Sequence, residues 1–319
     1  MKHIIFSIAL LFSTLSYAWE PAKPIIVTIG FAPGSGNELA FRKVSEIVQE
    51  NTGANFVIEN KPGADTVIAM NHLMLAPADG YNISVPSQMS TYVTNDVWEK
   101  NVKKYNYDSF TDVITIGKSP LVLVASSRSK VNTPMEFLKY THSGKAVNIA
   151  IGTGAHRAAY EFISNKMNFT SDVQFIKFNG PQPALTSVAQ FDGAGTEFGI
   201  MPITVAKPLI EAGKVKPIGF TGSHRLSQYK DVPLLIDLIP NINVYAAWYI
   251  ALPPNTDAQI VSWYRSQFKK ALTSKEYQDW AFANLVVIEP AEFSETGIKE
   301  NRENLRKHFL PILEKIESK

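Results

Sequence analysis

The chain has no cysteine among its 319 residues. That excludes a disulfide framework, thiol catalysis and every cysteine-ligated metal site. Its six histidines, His3, His72, His142, His156, His224 and His308, never fall at H-x-x-x-H spacing, so they make a poor zinc set. Charge of either sign is not in excess: the formal balance is +2. Such a chain carries no electrostatic signature of nucleic-acid binding or of attachment to an anionic membrane surface. There is no low-complexity segment and no repeat of solenoid period. Long apolar runs are missing too, since charge, Gly or Pro breaks each one that follows the amino terminus.

The amino terminus itself is different. Lys2 and His3 precede a mainly apolar run from Ile4 to Phe12, and small residues follow at Ser16-Tyr17-Ala18. This is the layout of a secretory signal peptide, residues 1–18, cut after Ala18. The run is shorter than the roughly 20 residues a membrane-spanning helix requires. The expectation is a periplasmic mature chain, large enough to bury a stable core without covalent staples.

Short apolar strands then alternate with amphipathic helices, the pattern of an open α/β sheet covered on both faces. Ile25–Ile29 reads as a buried strand. The turn Ala32-Pro33-Gly34-Ser35-Gly36 leads into a helix from Asn37, whose apolar positions Ala40, Phe41, Val44, Ile47 and Val48 recur at helical spacing until Gly53. A second unit follows: strand Phe56-Val57-Ile58, turn 59–64, and a helix for which Asp65 is the candidate N-cap. Tyr81, Ile83 and Val85 alternate as a third strand. Another set begins at Leu121–Val124. Thr133-Pro134-Met135-Glu136 is a helix start, and Val147–Ile151 runs into Gly152-Thr153-Gly154-Ala155 with His156 opening a helix. Lys216 to Phe220 reads as the last buried strand, and amphipathic helix dominates from Asp257 onward.

Three of these strand-to-helix turns are rich in Gly and small residues: 32–36, 63–66 and 152–155. Each exposes backbone N–H groups at the positive end of a helix, a preformed anion site. In an open sheet they all lie at the carboxyl ends of strands, where ligands bind. Nucleotide phosphate is disfavoured, because neither the P-loop nor G-x-G-x-x-G is present. Catalysis needs a nucleophile and a base, and Ser35 with His156 is the one pair that suggests itself, although Ser35 lacks the G-x-S-x-G elbow. Arg42 is expected in a structural salt bridge. Glu38 would repel an anion above it, so its side chain should point away. Trp248 and Tyr249 are expected in the core.

These residues resemble the Bug family, the periplasmic solute receptors of tripartite tricarboxylate transporters. The likeness runs through Lys23-Pro24-Ile25, Phe31 to Glu38 and on to Arg42, Glu59-Asn60-Lys61-Pro62-Gly63-Ala64, Pro77 to Tyr81, Gly152 to His156, Ala212-Gly213-Lys214 with Thr221 to Arg225, and Ala251 to Thr256. It implies two doubly wound α/β lobes around a ligand cleft, a type II-like periplasmic-binding-protein fold. Lobe one would hold residues 19–121 plus 245–319, and lobe two residues 122–244. It implies a receptor, not an enzyme, without cofactor or metal, monomeric, handing a small organic anion, a carboxylate or dicarboxylate, to the transporter's membrane subunits. The gripping positions carried over are Ala32, Pro33, Gly34, Ser35, Gly36 and Asn37, then Gly63, Ala64, Asp65, Thr66 and Val67, with Ser87 nearby and Gly152, Thr153, Gly154 and His156 opposite. The chain departs from the family at Gly63-Ala64-Asp65-Thr66-Val67, where Gly-Ala-Gly-Gly-Asn is common, and at Met201, where an Asp is frequent. A periplasmic hydrolase using Ser35 and His156, or a ligand-presenting receptor for a sensor kinase, are the alternatives.

Overall fold

The computed structural model describes residues 19–168, 172–223, 225–239, 242 and 244–318. The signal peptide read at 1–18 lies outside them. In chain order the strands are β1 (Ile25–Ile29), β2 (Phe56–Asn60), β3 (Asn82–Ser84), β4 (Thr111–Ser126), β5 (Val147–Ile151), β6 (Val173–Lys177), β7 (Phe198–Pro202), β8 (Val215–Phe220) and β9 (Tyr245–Leu252). The helices are α1 (Gly36–Thr52), α2 (Val67–Met74), α3 (Asn95–Trp98), α4 (Pro134–Thr141), α5 (Gly154–Met167), α6 (Pro181–Ala189), α7 (Ile203–Glu211), α8 (Ala258–Leu272), α9 (Lys275–Ala283) and α10 (Glu295–Glu317).

The strands are ordered β2-β1-β3-β9-β4-β7-β5-β6, with β8 also on β4. β1 is parallel to β2 and β3, and β5 is parallel to β6 and β7. The two parallel sets are joined through the antiparallel pair β4 and β9, which run beside each other from Thr111 opposite Leu252 to Pro120 opposite Tyr245. From Leu121 onward β4 changes partners and pairs with β7 and β8. One 16-residue strand therefore belongs to both halves of the sheet.

Local chemistry explains the pieces. α1 buries the predicted stripe of Ala40, Phe41, Val44, Ile47 and Val48, and it ends where Gly53 takes a left-handed φ of 75° and returns its N–H to Gln49. Burying a side chain such as Phe41, which stacks on Phe268, contributes about 2–3 kcal/mol. Thr133 caps α4 by accepting from the Glu136 N–H, and Asp257 caps α8 in the same way through Gln259.

Two expectations need correction. Lys216–Phe220 is not the last buried strand, because β9 follows it and lies at the centre of the sheet. Leu121–Val124 is not a short strand but the distal part of β4. β4 and β9 are buried on both faces, so neither shows the alternation that marks a half-exposed strand. Trp248 and Tyr249 lie on β9 and are buried, as expected.

Candidate ligand site

The first turn leaves β1 through Gly30 and enters α1 at Gly36. Glu38 does not point away. Its carboxylate is buried and folds back over the turn, with Oε2 accepting from the Gly34 N–H (3.2 Å) and from Asn60 Nδ2 (3.1 Å). Arg42 donates to Oε1 at 2.6 and 2.8 Å, the structural ion pair expected of it, and this cation offsets the charge. The Ala32 N–H donates to the Asn179 carbonyl in the other half of the molecule (3.0 Å). Two of the amides expected to grip a ligand are thus already engaged. What remains is the first turn of α1, whose amides have no intrahelical acceptor, together with Ser35 and Asn37. Ser35 Oγ is fully buried and without a partner. Asn37 donates to the Val85 carbonyl (2.6 Å), which leaves Oδ1 without one. Pro33 is exposed, beside Phe178 and Gln182.

The second turn is unusual in its backbone. Gly63 has φ 140°, and Ala64, Asp65 and Thr66 follow at 45°, 45° and 78°. Three successive non-glycine residues in this region each carry a steric cost of order 1–3 kcal/mol. Asp65 is consequently not the N-cap of α2, a position that Thr66 holds. The Asp65 side chain crosses to the other half of the molecule instead. Its Oδ2 accepts from the Gly154 N–H at 2.9 Å and from Thr94 Oγ1 at 3.1 Å, and its Oδ1 accepts from Ser90 Oγ at 3.2 Å. Ser90 and Thr94 bracket a π-helical stretch. Thr66 Oγ1 is buried without a partner, while the Val67 side chain joins the apolar cluster of Met70, Tyr92 and Tyr249. Gly30 must be glycine, because a Cβ there would come within 2.7 Å of Thr66 Cβ.

The third turn is closed on itself. The Gly152 N–H donates to His156 Nδ1 (3.3 Å), the His156 N–H to Thr153 Oγ1 (3.2 Å), and the Gly154 N–H to Asp65. The acceptor role of Nδ1 places the hydrogen of the neutral ring on Nε2. Ser35 Oγ and His156 Nδ1 therefore do not form the hydrogen bond a nucleophile and base would share. Met201 is likewise not among the polar groups. It is fully buried in the cluster of Ala184, Leu185 and Val188, on the side of β7 that α6 covers.

The structure thus places Ser35 and Asn37 beyond the carboxyl end of β1, Thr66 beyond that of β2, where it packs against Gly30, and Ser87 beyond that of β3. Ser87 is a bridge partner of Trp248, whose ring lies where a Cβ on Gly36 would be, and its Oγ is buried without a partner. The surrounding closure includes contacts the sequence did not suggest: Lys177 with Glu99 at 2.5 Å, and the Arg157 guanidinium over the Trp98 ring at 4.3 Å. Ser90, Thr94 and Asn179 were also missed. Only the spacing of Ser90 and Thr94, four residues apart on a helical segment, could have hinted at a shared partner.

Two titrating groups here oppose each other. Burial raises the Asp65 carboxyl from 3.8 to about 6, against the lowering effect of the Gly154 amide, Thr94, Ser90 and Lys177. The stability linked to Asp65 is full below about 3.8 and is lost as pH rises through about 6. Burial lowers the His156 imidazole from 6.5 to about 3, so its linked stability is present above 6.5 and is lost as pH falls toward 3. The wild-type profile mixes both, but an Asp65→Asn variant isolates the first. Relative to wild type, that variant should gain about 1–2 kcal/mol in denaturant unfolding between pH 5 and pH 8. An unchanged difference across that range would show that Asp65 does not titrate there.

The family model described as "Tripartite tricarboxylate transporter family receptor" matches residues 40–296. The chain is 23% identical to BugT of Bordetella pertussis over 261 residues, covering 80% of this chain and 78% of that protein. MatC from Rhodopseudomonas palustris, solved with bound malate, superposes with a TM-score of 0.84 at 20% identity over 92% of this chain and 100% of that one. A second R. palustris protein, solved with adipate, gives 0.83 at 19% identity over 92% and 96%. At these identities the superpositions speak for the fold, which is the mixed α/β fold of periplasmic binding proteins. No described helix is long and apolar enough to cross a membrane. With the family model spanning most of the sequence, the chain belongs to the TctC family, the receptors of tripartite tricarboxylate transporters.

Proposed function

We propose that the chain is an exported receptor that captures a small carboxylate between two lobes and delivers it, unchanged, to the membrane subunits of a tripartite tricarboxylate transporter. The observation that carries this reading is that three buried hydroxyls without partners, Ser35 Oγ, Thr66 Oγ1 and Ser87 Oγ, follow the carboxyl ends of the adjacent parallel strands β1, β2 and β3. Buried polar atoms are almost always hydrogen-bonded, so several orphaned hydroxyls along one edge of the sheet indicate that the partner is a ligand. Hydroxyls and helix-terminal amides are donors, which suits an anion. The fold relatives solved with malate and adipate support the carboxylate class.

The lobes proposed are 19–121 with 245–319, and 122–244, a division supported by the change of strand partner between Pro120 and Leu121. Binding would be by closure of the two lobes, and the receptor would act as a monomer after the leader is removed at Ala18. A chain beginning at Trp19 tests the reading by its melting temperature against mono-, di- and tricarboxylates, amino acids and sugars. Ligand at one hundred times its dissociation constant should add about 2.7 kcal/mol, and it should be recovered unaltered. Ser35→Ala should weaken binding by about 1 kcal/mol, one hydrogen bond. Turnover of the bound compound, abolished by the same change, would make the chain an enzyme instead. No shift with any carboxylate would remove the assignment.

A further inference from the structure

The Gly152–His156 turn has the form of an anion site, yet an anion from the chain itself is already on it. We propose that Asp65 supplies, from within, the carboxylate that the start of α5 can hold, so that the cleft accepts a monocarboxylate and rejects a dicarboxylate. This deepens the receptor reading and rests on it.

The geometry is specific. Asp65 Oδ2 takes the Gly154 N–H and the Thr94 hydroxyl together, and Oδ1 takes the Ser90 hydroxyl. The Gly152 and His156 amides are used locally, by His156 Nδ1 and by Thr153 Oγ1. The space over Gly154 is taken, since a Cβ placed there would stand 2.6 Å from Asp65 Oδ2 and 2.5 Å from Thr94 Oγ1. The backbone is bent to this end: the left-handed run Ala64-Asp65-Thr66 sends the carboxylate toward α5 and turns Thr66 back against Gly30, its hydroxyl buried and unpartnered.

Charge acts in the same sense. With its carboxyl raised only to about 6, Asp65 is anionic at neutral pH. A ligand carboxylate brought to the same end would meet a like charge, with little water to screen it. The cations on that side are already paired, Lys177 with Glu99 and Arg157 with Glu161. At the opposite end, by contrast, the amino end of α1 and the hydroxyls of Ser35, Thr66 and Ser87 are neutral donors suited to a single carboxylate. The cleft as built thus pairs one donor-rich end with one end that is internally neutralised.

Calorimetric titration with matched pairs, hexanoate against adipate and butyrate against succinate, tests this on the chain from Trp19 onward. Wild type should bind the monoacid of at least one pair at least about ten-fold more tightly than its diacid, a difference of about 1.4 kcal/mol. Asp65→Ala, which opens the start of α5, should shift that ratio about ten-fold or more toward the diacid, whereas Asp65→Asn, which still fills the place, should shift it less. Wild-type affinity for a diacid equal to or above that for its monoacid would overturn the proposal while leaving a carboxylate receptor. So would a folded Asp65→Ala variant with the wild-type ratio. Should Asp65→Ala fail to fold, the wild-type ratio and Asp65→Asn still decide. Absence of binding to every acid would remove the receptor reading and this inference with it, a result distinct from diacid preference.

Discussion

An Arg302→Met variant should lose about 3–5 kcal/mol of stability, read by denaturant unfolding at neutral pH. Arg302 on α10 reaches Asp112 on β4 at 2.9 Å and Asp108 at 2.8 Å, and its guanidinium lies 4.3 Å from the Tyr107 ring centroid and 5.0 Å from that of Tyr92. Both members of the Arg302–Asp112 pair are buried, and Asp112 also accepts from Tyr92 Oη at 2.6 Å. Burial holds the Asp112 carboxyl up at about 6 even with Arg302 beside it. Methionine keeps much of the volume but leaves that carboxylate buried without its counter-charge, which is far costlier than losing an exposed ion pair. Protonation then becomes the way out. The deficit should therefore shrink when the measurement is repeated near pH 5, where a carboxyl raised above 6 is neutral in the folded chain. A loss below about 1 kcal/mol, or one independent of pH, would mean that the pair behaves like a surface bridge.

Gly36→Ala should damage folding and binding together. The new Cβ would lie 2.4 Å from Trp248 Cζ2 and 2.7 Å from Cη2, and the ring is buried on the central strand β9. Overpacking of this kind costs about 1–3 kcal/mol. Relief requires the ring to move, and Trp248 is the bridge partner of Ser87, while Ser35 and Asn37 flank the glycine. Carboxylate affinity should fall about ten-fold or more, because misplacing several donors loses more than one hydrogen bond. Gly53→Ala is the control. It has φ 75° and nothing within 4 Å, so it should cost only the backbone term of about 1 kcal/mol and leave affinity unchanged. Equal affinity in both variants would show that the α1 turn is not part of the site.

Much of this architecture could be read from residue order. The alternation of apolar strands with amphipathic stripes, as in Ile25–Ile29 and the helix through Phe41 and Val48, reflects periods set by backbone geometry. Helix starts at Thr133 and Asp257 and the stop at Gly53 follow from the chemistry of a few neighbouring atoms. The turns were legible for the same reason, since glycine-rich strand-to-helix turns are local signals. β9 and the length of β4 were not legible, because strands buried on both faces lose the alternation and their partners lie far away in sequence.

The amino-acid sequence by itself thus determined most of the elements, the three glycine-rich turns and the family likeness, all products of short-range constraints along the chain. Only the tertiary structure decided which amides those turns still have to offer. Glu38 folding back onto Gly34, Asn179 meeting Ala32, and Asp65 reaching Gly154 are pairings between groups that only the folded chain can orient and bring within 3.2 Å. A carboxylate in a sequence can be a cap, a repellent or a partner, and which it becomes depends on the donors that the fold brings to meet it.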